Sequence, residues 1–194
     1  MTELPVEILE VPEAADNGQE RCYYCKYALF TKIKEAAQKQ GISLVADGAN
    51  TDDESDYRPG MRATAELGIL SPLRSAGFSK LDIREASKEL GIFTWNKPSY
   101  ACLASRIPYG EEITAEKLAM VEKAEQALLD MGFKEMRVRC HGKMARIEVA
   151  AADMEKVFAC REEIAGAVKQ AGFLYAALDL EGFRSGSLNA ALAK

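Results

Sequence analysis

The fold of the C-terminal half is decided by one stretch of sequence, MRVRCHGKMARIEV, at residues 136–149. Apolar and polar residues alternate over 136–140, which is the period of a half-buried β-strand. His141 and Gly142 then form a turn, and residues 144–149 continue as a second strand. The stretch therefore predicts two strands joined by a turn.

Helical patterns lie on both sides of these strands. Thr114 is placed to cap a long helix, in which apolar residues recur on one face from Leu118 to Leu129. A second helix is predicted over about 154–170, and a further strand over 174–180. The order helix, strand, strand, helix, strand predicts a small α+β domain over residues 111–194.

The N-terminal part, residues 1–110, carries an α/β pattern. Strands are predicted at 5–11 and 42–46 around a helix at 23–40, an order that is typical of a parallel layer. The remainder is predicted to contain a helix at 62–67, a strand at 69–73, a helix at 80–90 and an irregular loop at 93–110. An ordered loop of this kind is a common place for chemistry.

The composition is that of a globular protein. The 194 residues are 48% hydrophobic and carry 25 basic and 30 acidic side chains, which gives a net charge of −5. No apolar run is long enough to cross a membrane, and the first residues carry acid where a secretory signal carries base. We therefore expect a cytoplasmic protein without a membrane partner, and the net negative charge argues against a nucleic-acid partner.

Five cysteines occur at uneven spacing, an arrangement that is poor for a disulfide framework. Cys22 and Cys25 form a Cys-x-x-Cys pair at the start of the predicted helix, where the helix dipole lowers the pKa of a thiol. The pair is open to three interpretations: incidental thiols, a redox dithiol, or part of a metal site. Cys102 is the natural third ligand, and three thiolates leave one coordination position open. A closed zinc site would need Cys140 or His141 as well.

A polar segment follows the strand at 42–46 and contains Asp47, Asn50, Asp53 and Arg58. Acidic loops are commonly only solvated. The functional alternative is a set of carboxylates and amides close to a nucleotide or Mg²⁺, because open α/β sheets place ligands at the carboxyl ends of their strands.

Three arginines are candidates for binding an anion. Arg137 and Arg139 alternate on one strand, so their side chains share a face. Arg184 lies in Gly-Phe-Arg-Ser-Gly, between small residues that allow close approach of a ligand. A charged outer face of a half-exposed sheet is the default interpretation, and bidentate binding of a phosphate or carboxylate is the alternative.

In combination, these motifs resemble the LarE family over nearly the whole chain, from about residue 5 to 190. The stretches that carry the resemblance are RCYYCK (21–26), DG (47–48) with DYRPG (56–60), WNKP (95–98) with CLASR (102–106), RVR (137–139) and GFRSG (182–186). LarE proteins are ATP-dependent sulfurtransferases of the PP-loop superfamily. They adenylylate a carboxylate of pyridinium-3,5-biscarboxylic acid mononucleotide and replace an oxygen by sulfur, on the way to the nickel-pincer nucleotide.

The resemblance implies a partial Rossmann-like sheet layer, of the adenine nucleotide alpha hydrolase-like type, followed by the small α+β domain. One branch of the family sacrifices the sulfur of its own cysteine, and that position is Ala101 here. The other branch is described as holding a [4Fe-4S] cluster by three cysteines, which match Cys22, Cys25 and Cys102. The resemblance therefore implies the cluster branch.

The resemblance also implies roles for further residues. Ser105 and Arg106 fall in the active-site loop of the family, so the resemblance implies that they are catalytic together with the three cysteines. Arg137, Arg139 and Arg184 fall where arginines face the substrate. Acidic residues that contact metal in the family correspond to Glu125 and Glu148, and a third such position is Lys156 here. ATP and Mg²⁺ are the implied co-reactants.

The largest departure from the family is an absent motif. A Ser-Gly-Gly-x-Asp-Ser phosphate loop does not occur in the sequence. We therefore expect a truncated form, a fragment or half of a split enzyme, which binds ATP poorly alone. We also expect a homo-oligomer or a separate PP-loop-bearing polypeptide as partner.

Two alternative functions stay open at this point. A tRNA thiolase or amidotransferase fragment of the same superfamily would need a basic surface, which the net charge of −5 disfavours. A zinc-stabilised, non-catalytic scaffold subunit is compatible with the absent phosphate loop. Iron with acid-labile sulfide would favour the transferase, and one zinc without sulfide would favour the scaffold.

Overall fold

The structure is a computed structural model that describes residues 3–55, 58–97 and 101–184. It divides the chain into two units, Met1–Ser99 and Tyr100–Lys194. Helices occur together with a small three-stranded sheet, so the chain has the mixed α and β content that the sequence predicts. Within the described ranges, no helix is both long and apolar enough to cross a membrane.

The first unit is built mainly from helices. They are α1 (Pro12–Ala15), α2 (Arg21–Lys39), α3 (Pro59–Glu66), α4 (Pro72–Ser75) and α5 (Lys80–Glu89), with 3₁₀ turns at Ile8–Glu10 and Thr51–Ser55. α2 is the predicted helix, and it packs against α3. Gly60 allows this close approach, because a Cβ atom there would lie 2.7 Å from Cδ of Lys26 and 3.1 Å from the carbonyl oxygen of Cys22.

Strands are the elements that the sequence overpredicts in the first unit. The strand predicted at 5–11 is wrong, since residues 8–10 form a 3₁₀ turn and Pro12 begins α1 at a position where its missing N–H costs nothing. The strands predicted at 42–46 and 69–73 reduce to one parallel bridge between Ala46 and Leu70. Pro72 begins α4 two residues after that bridge. The Rossmann-like layer therefore stays a prediction.

The second unit alternates helices and strands in the predicted order. Its elements are a 3₁₀ turn (Leu103–Arg106), α6 (Ala115–Asp130), β1 (Met136–His141), β2 (Met144–Val149), a 3₁₀ turn (Ala151–Asp153), α7 (Met154–Ala159), α8 (Arg161–Gln170) and β3 (Tyr175–Leu178). The side chain of Thr114 accepts the Lys117 N–H, which confirms the predicted cap of α6. The helix predicted over 154–170 breaks at Cys160, whose ψ of 13° is not helical.

The three strands form one sheet in the order β1-β2-β3, with β1 antiparallel to β2 and β2 parallel to β3. One face of the β1-β2 pair belongs to a continuous apolar core that also includes residues of α6 and α8. The strand residues on that face are Met136, Val138, Cys140, Ala145, Ile147 and Val149. Because side chains alternate along a strand, the charged residues between them share the opposite face.

Candidate functional site

The opposite face of the sheet is rich in arginine. Pairing of β1 with β2 sets Arg137 across from Glu148 and Arg139 across from Arg146. Two cations that face each other directly repel, so this arrangement needs a carboxylate between them.

Glu148 provides that carboxylate, and it is fully buried. Nε and Nη2 of Arg139 donate to its two oxygens at 3.0 and 2.8 Å, and Nη2 of Arg146 donates at 3.1 Å. Nε of Arg146 also lies 3.5 Å from a carboxylate oxygen of Asp179. Both arginines are therefore fixed in orientation by a buried acid.

A second buried pair holds the turn that carries Cys102. Arg106 is 1% exposed, and its Nε and Nη2 donate to the two oxygens of Glu125 at 2.7 and 2.9 Å. Its Nη1 reaches the carbonyl oxygens of Ala101 and Cys102 at 3.0 and 3.2 Å. Glu125 in turn accepts the backbone N–H of Val138 at 2.9 Å.

Ser105 links this turn to the arginine face. Its hydroxyl donates to the carbonyl oxygen of Cys102 at 2.7 Å and accepts from Nη1 of Arg106 at 2.9 Å. Its own carbonyl oxygen accepts from Nη1 of Arg139 at 2.7 Å. The side chain of Cys102 is exposed. The turn therefore presents a thiol next to a segment that is bonded to Arg106 and Arg139.

Arg137 is half-buried, with its guanidinium carbon 5.0 Å from the centre of the Phe183 ring. Burial, and after it the positive charge of Arg106, lowers the pKa of Arg137 below its ordinary value. On this face three guanidinium groups, of Arg137, Arg139 and Arg146, meet two carboxylates, of Glu148 and Asp179. An incoming anion would offset the surplus positive charge, so the face is suited to phosphate or carboxylate.

Arg184 lies in a different environment from the arginines of the sheet. It is exposed and pairs with Glu181, three residues earlier in the chain. Its neighbour Phe183 contacts Arg137, so the GFRSG motif comes close to the arginine face through its aromatic ring. Ser185 and Gly186 of that motif lie outside the described residues.

Cys140 and His141 occupy opposite faces of β1. Burial raises the pKa of the Cys140 thiol, which lies in the core. Burial, and then the charge of Arg146, lowers the pKa of His141. Its Nε2 is buried with no hydrogen-bond partner in the described part of the chain. Adjacent residues on a strand point opposite ways, so these two side chains do not turn toward one common ion.

The Cys-x-x-Cys pair lies in the first unit, near the start of α2. Cys22 is exposed, and Nη2 of the buried Arg21 lies 3.8 Å from its sulfur. Arg21 is held by a hydrogen bond to Asn17. Within either unit, the described residues bring together no group of three or more His, Cys, Asp or Glu side chains that could hold a metal. Cys102 belongs to the second unit, so the three-cysteine set stays a prediction.

The polar segment of the first unit is folded upon itself. Asp47 accepts from the hydroxyl of Ser71 at 2.7 Å and from the N–H of Ala49 at 3.1 Å. Asp53 accepts the N–H of Asn50 at 3.0 Å and pairs with Arg58 at 2.8 Å. These bonds order the loop, and its binding of a nucleotide stays a prediction. Asp56 and Tyr57 lie outside the described residues.

Two members of the arginine face were missed in the sequence, Arg146 and Asp179. The signal for Arg146 was present, because it alternates with Glu148 on the second predicted strand. Asp179 follows β3 and meets Arg146 through parallel pairing, which the local pattern does not encode.

Comparison with curated proteins gives three relatives, whereas no protein-family model matches the chain. The chain is 43% identical over 185 residues to an uncharacterised protein of Synechocystis sp. and 34% identical over 182 residues to an uncharacterised protein of Methanocaldococcus jannaschii. It is 38% identical over 179 residues to the pyridinium-3,5-bisthiocarboxylic acid mononucleotide synthase of Lactiplantibacillus plantarum. The matches cover 94%, 94% and 92% of this chain, in that order, and 69%, 71% and 65% of the relatives.

Proposed function

The chain belongs to the family of these relatives, and from that premise we propose that it takes part in sulfur transfer to a pyridinium mononucleotide, as its resemblance to LarE proteins implies. The observation that carries the proposal is the arginine face of the second unit. The proposed substrate, pyridinium-3,5-biscarboxylic acid mononucleotide, carries a phosphate and two carboxylates. Guanidinium groups bind such anions bidentately.

Arg137 would take an anionic group of this substrate, with Arg184 as a second contact. Arg139 is 5% exposed and is bonded to Glu148 and to the carbonyl oxygen of Ser105, so it would support this face rather than bind the anion. Ser105 uses its hydroxyl to order the turn before any ligand arrives. Glu125 and Glu148 act here as counter-ions of arginine, since each carboxylate is bonded bidentately to a guanidinium.

Cys22, Cys25 and Cys102 would hold the [4Fe-4S] cluster, which when bound would deliver a sulfide to the substrate. Thiolates are the ligands that such clusters require, and residues three apart on α2 are neighbours on the helix surface. Arg21 Nη2 lies 3.8 Å from the Cys22 sulfur. Iron and acid-labile sulfide should be retained after anaerobic reconstitution and lost in Cys102→Ala. One zinc without sulfide would support a scaffold role instead.

Activation of the carboxylate by ATP needs a phosphate-binding loop, and the Ser-Gly-Gly-x-Asp-Ser motif is absent from the sequence. The loop would come from a segment outside these 194 residues, on the same or another polypeptide. Asp47, Asn50, Asp53 and Arg58 would lie near the nucleotide and its Mg²⁺. The 194-residue chain alone should then show no saturable ATP binding in equilibrium dialysis.

Calorimetric titration with the mononucleotide tests the proposal. Arg137→Gln should weaken binding about tenfold or more, because a charged hydrogen bond is worth roughly 1.5–3 kcal/mol. Arg161→Gln is the matched control, since Arg161 lies on the exposed surface of α8. Equal affinities of the two variants, or no binding by the unaltered chain, would contradict the proposal.

A further inference from the structure

Arg106 uses its guanidinium on the protein itself. Nε and Nη2 donate to Glu125, and Nη1 faces the two carbonyl oxygens of residues 101 and 102 together with the hydroxyl of Ser105. The side chain is 1% exposed. A group that is buried and bonded along three donor directions is poorly placed to bind a substrate.

These bonds connect three segments of the second unit. Arg106 fixes the backbone of the 101–106 turn, Glu125 lies on α6, and the same carboxylate accepts the N–H of Val138 in β1. Val138 stands between the two arginines of that strand. The pair therefore sets the position of the turn relative to the strand that carries Arg137 and Arg139.

We propose that Arg106 and Glu125 form a positioning pair, which holds the Cys102 thiol beside the arginine face and does not itself bind substrate. The hydrogen bonds of Arg106 order the turn, and the use of this turn in sulfur transfer rests on the proposed function. Lysine cannot replace Arg106, because one ammonium cannot hold a carboxylate bidentately and two carbonyl oxygens at once.

Arg106→Lys tests the proposal, since it keeps the charge and removes the geometry. Without any ligand, amide hydrogen exchange of Ser105 and Ile107 should accelerate about tenfold, because their N–H groups bond within the turn. Exchange at Val138 and in the β1-β2 ladder should stay unchanged. Arg161→Lys is the control and should change neither set of amides.

A second measurement reads the electrostatic surroundings of the thiol. The ratio of Cys102 alkylation by anionic iodoacetate to that by neutral iodoacetamide, at low salt, reports the positive potential at the sulfur. Arg106→Lys should lower this ratio about threefold although the net charge is unchanged. Cys140 should stay protected, because it is buried in the core of the same unit. If Arg106→Lys instead disrupted the core of the second unit, Cys140 would also become alkylated.

The outcomes separate this inference from the proposed function. The positioning role would be overturned if Arg106→Lys changed neither the amide exchange of Ser105 and Ile107 nor the alkylation ratio at Cys102. This holds even if the mononucleotide binds. Weaker mononucleotide binding by Arg106→Lys with an unaltered turn would also overturn it, since Arg106 would then be a ligand. If Arg106→Lys does not fold, Glu125→Gln removes the charge pairing and keeps an acceptor for Val138. It should give the same two changes.

Discussion

The two units of the chain differ in how they use apolar residues. Of the 22 apolar residues that are buried in the described ranges, 18 form the core of the second unit. The first unit contributes the other four, Ala14, Phe30, Ala63 and Ile69. Its large apolar side chains are instead often exposed, such as Leu44 at 69% and Phe93 at 85%. Apolar periodicity can therefore form a helix without forming a hydrophobic core, as the first unit shows.

Helix α5 shows this separation most clearly. Ser79 and Asp82 form a reciprocal capping box, and Gly91, with φ of 67°, follows the end of the helix. None of its residues is buried. In contrast, α6 has a comparable cap at Thr114 and buries five residues, Met120, Val121, Ala124, Glu125 and Leu128. Caps determine where these two helices begin, and of the two only α6 also buries side chains.

The largest expected effect that tests this comparison is on buried charge. Glu148→Gln leaves Arg139 buried against a neutral amide, which we expect to cost about 3–5 kcal/mol of unfolding free energy. Glu66→Gln is the counterpart in the first unit, where the acid pairs with Arg62 on the surface and should change stability little. Urea unfolding followed by circular dichroism measures both. A small effect of Glu148→Gln would mean that the arginine face does not depend on its buried acid.

A somewhat smaller effect is expected from apolar truncation. Leu128→Ala, at a side chain that is 1% exposed, should cost about 2–5 kcal/mol because it leaves a cavity in the core. Leu90→Ala, at 77% exposure, should change the unfolding free energy by less than about 0.5 kcal/mol. The same urea titrations compare the pair. Equal losses would show that Leu90 is covered in solution, and the contrast between the units would then fail.

The same contrast explains how much of the fold the sequence could predict. The helices α2, α5 and α6 were predicted because caps, glycines and a 3.6-residue period are local signals. The two strands within 136–149 were also predicted, because each pairs with the other across a short turn and the pairing is therefore local in sequence. The strand at 5–11 was wrong, because alternation alone does not reveal whether another strand is there to pair with it.

The site could be predicted only in part, for a related reason. Strand periodicity places Arg137 and Arg139 on one face without knowledge of the rest of the chain. The pairing of Arg106 with Glu125 joins residues 19 apart through a turn and a helix, and no local pattern encodes it. Arg106 was therefore interpreted as catalytic, although its contacts fit a positioning role.

The smallest expected effect is a pH dependence that only the second unit should show, because His141 is the single histidine of the chain. Its pKa is lowered in the folded state by burial and by Arg146, so protonation favours the unfolded chain. The stabilisation is present above the ordinary histidine pKa of about 6.5 and is lost as the pH falls below it. As the pH is lowered from 7.5 to 5.5, the protection factors of the β1 and β2 amides, which are the intrinsic exchange rates divided by the observed ones, should fall. The protection factors of the α2 amides should not change. In His141→Gln this difference should disappear, and an NMR titration should place the His141 midpoint below that of a free histidine. A midpoint at or above the free value would show that the imidazole reaches solvent or an acid, and that this edge of the arginine face is open rather than packed.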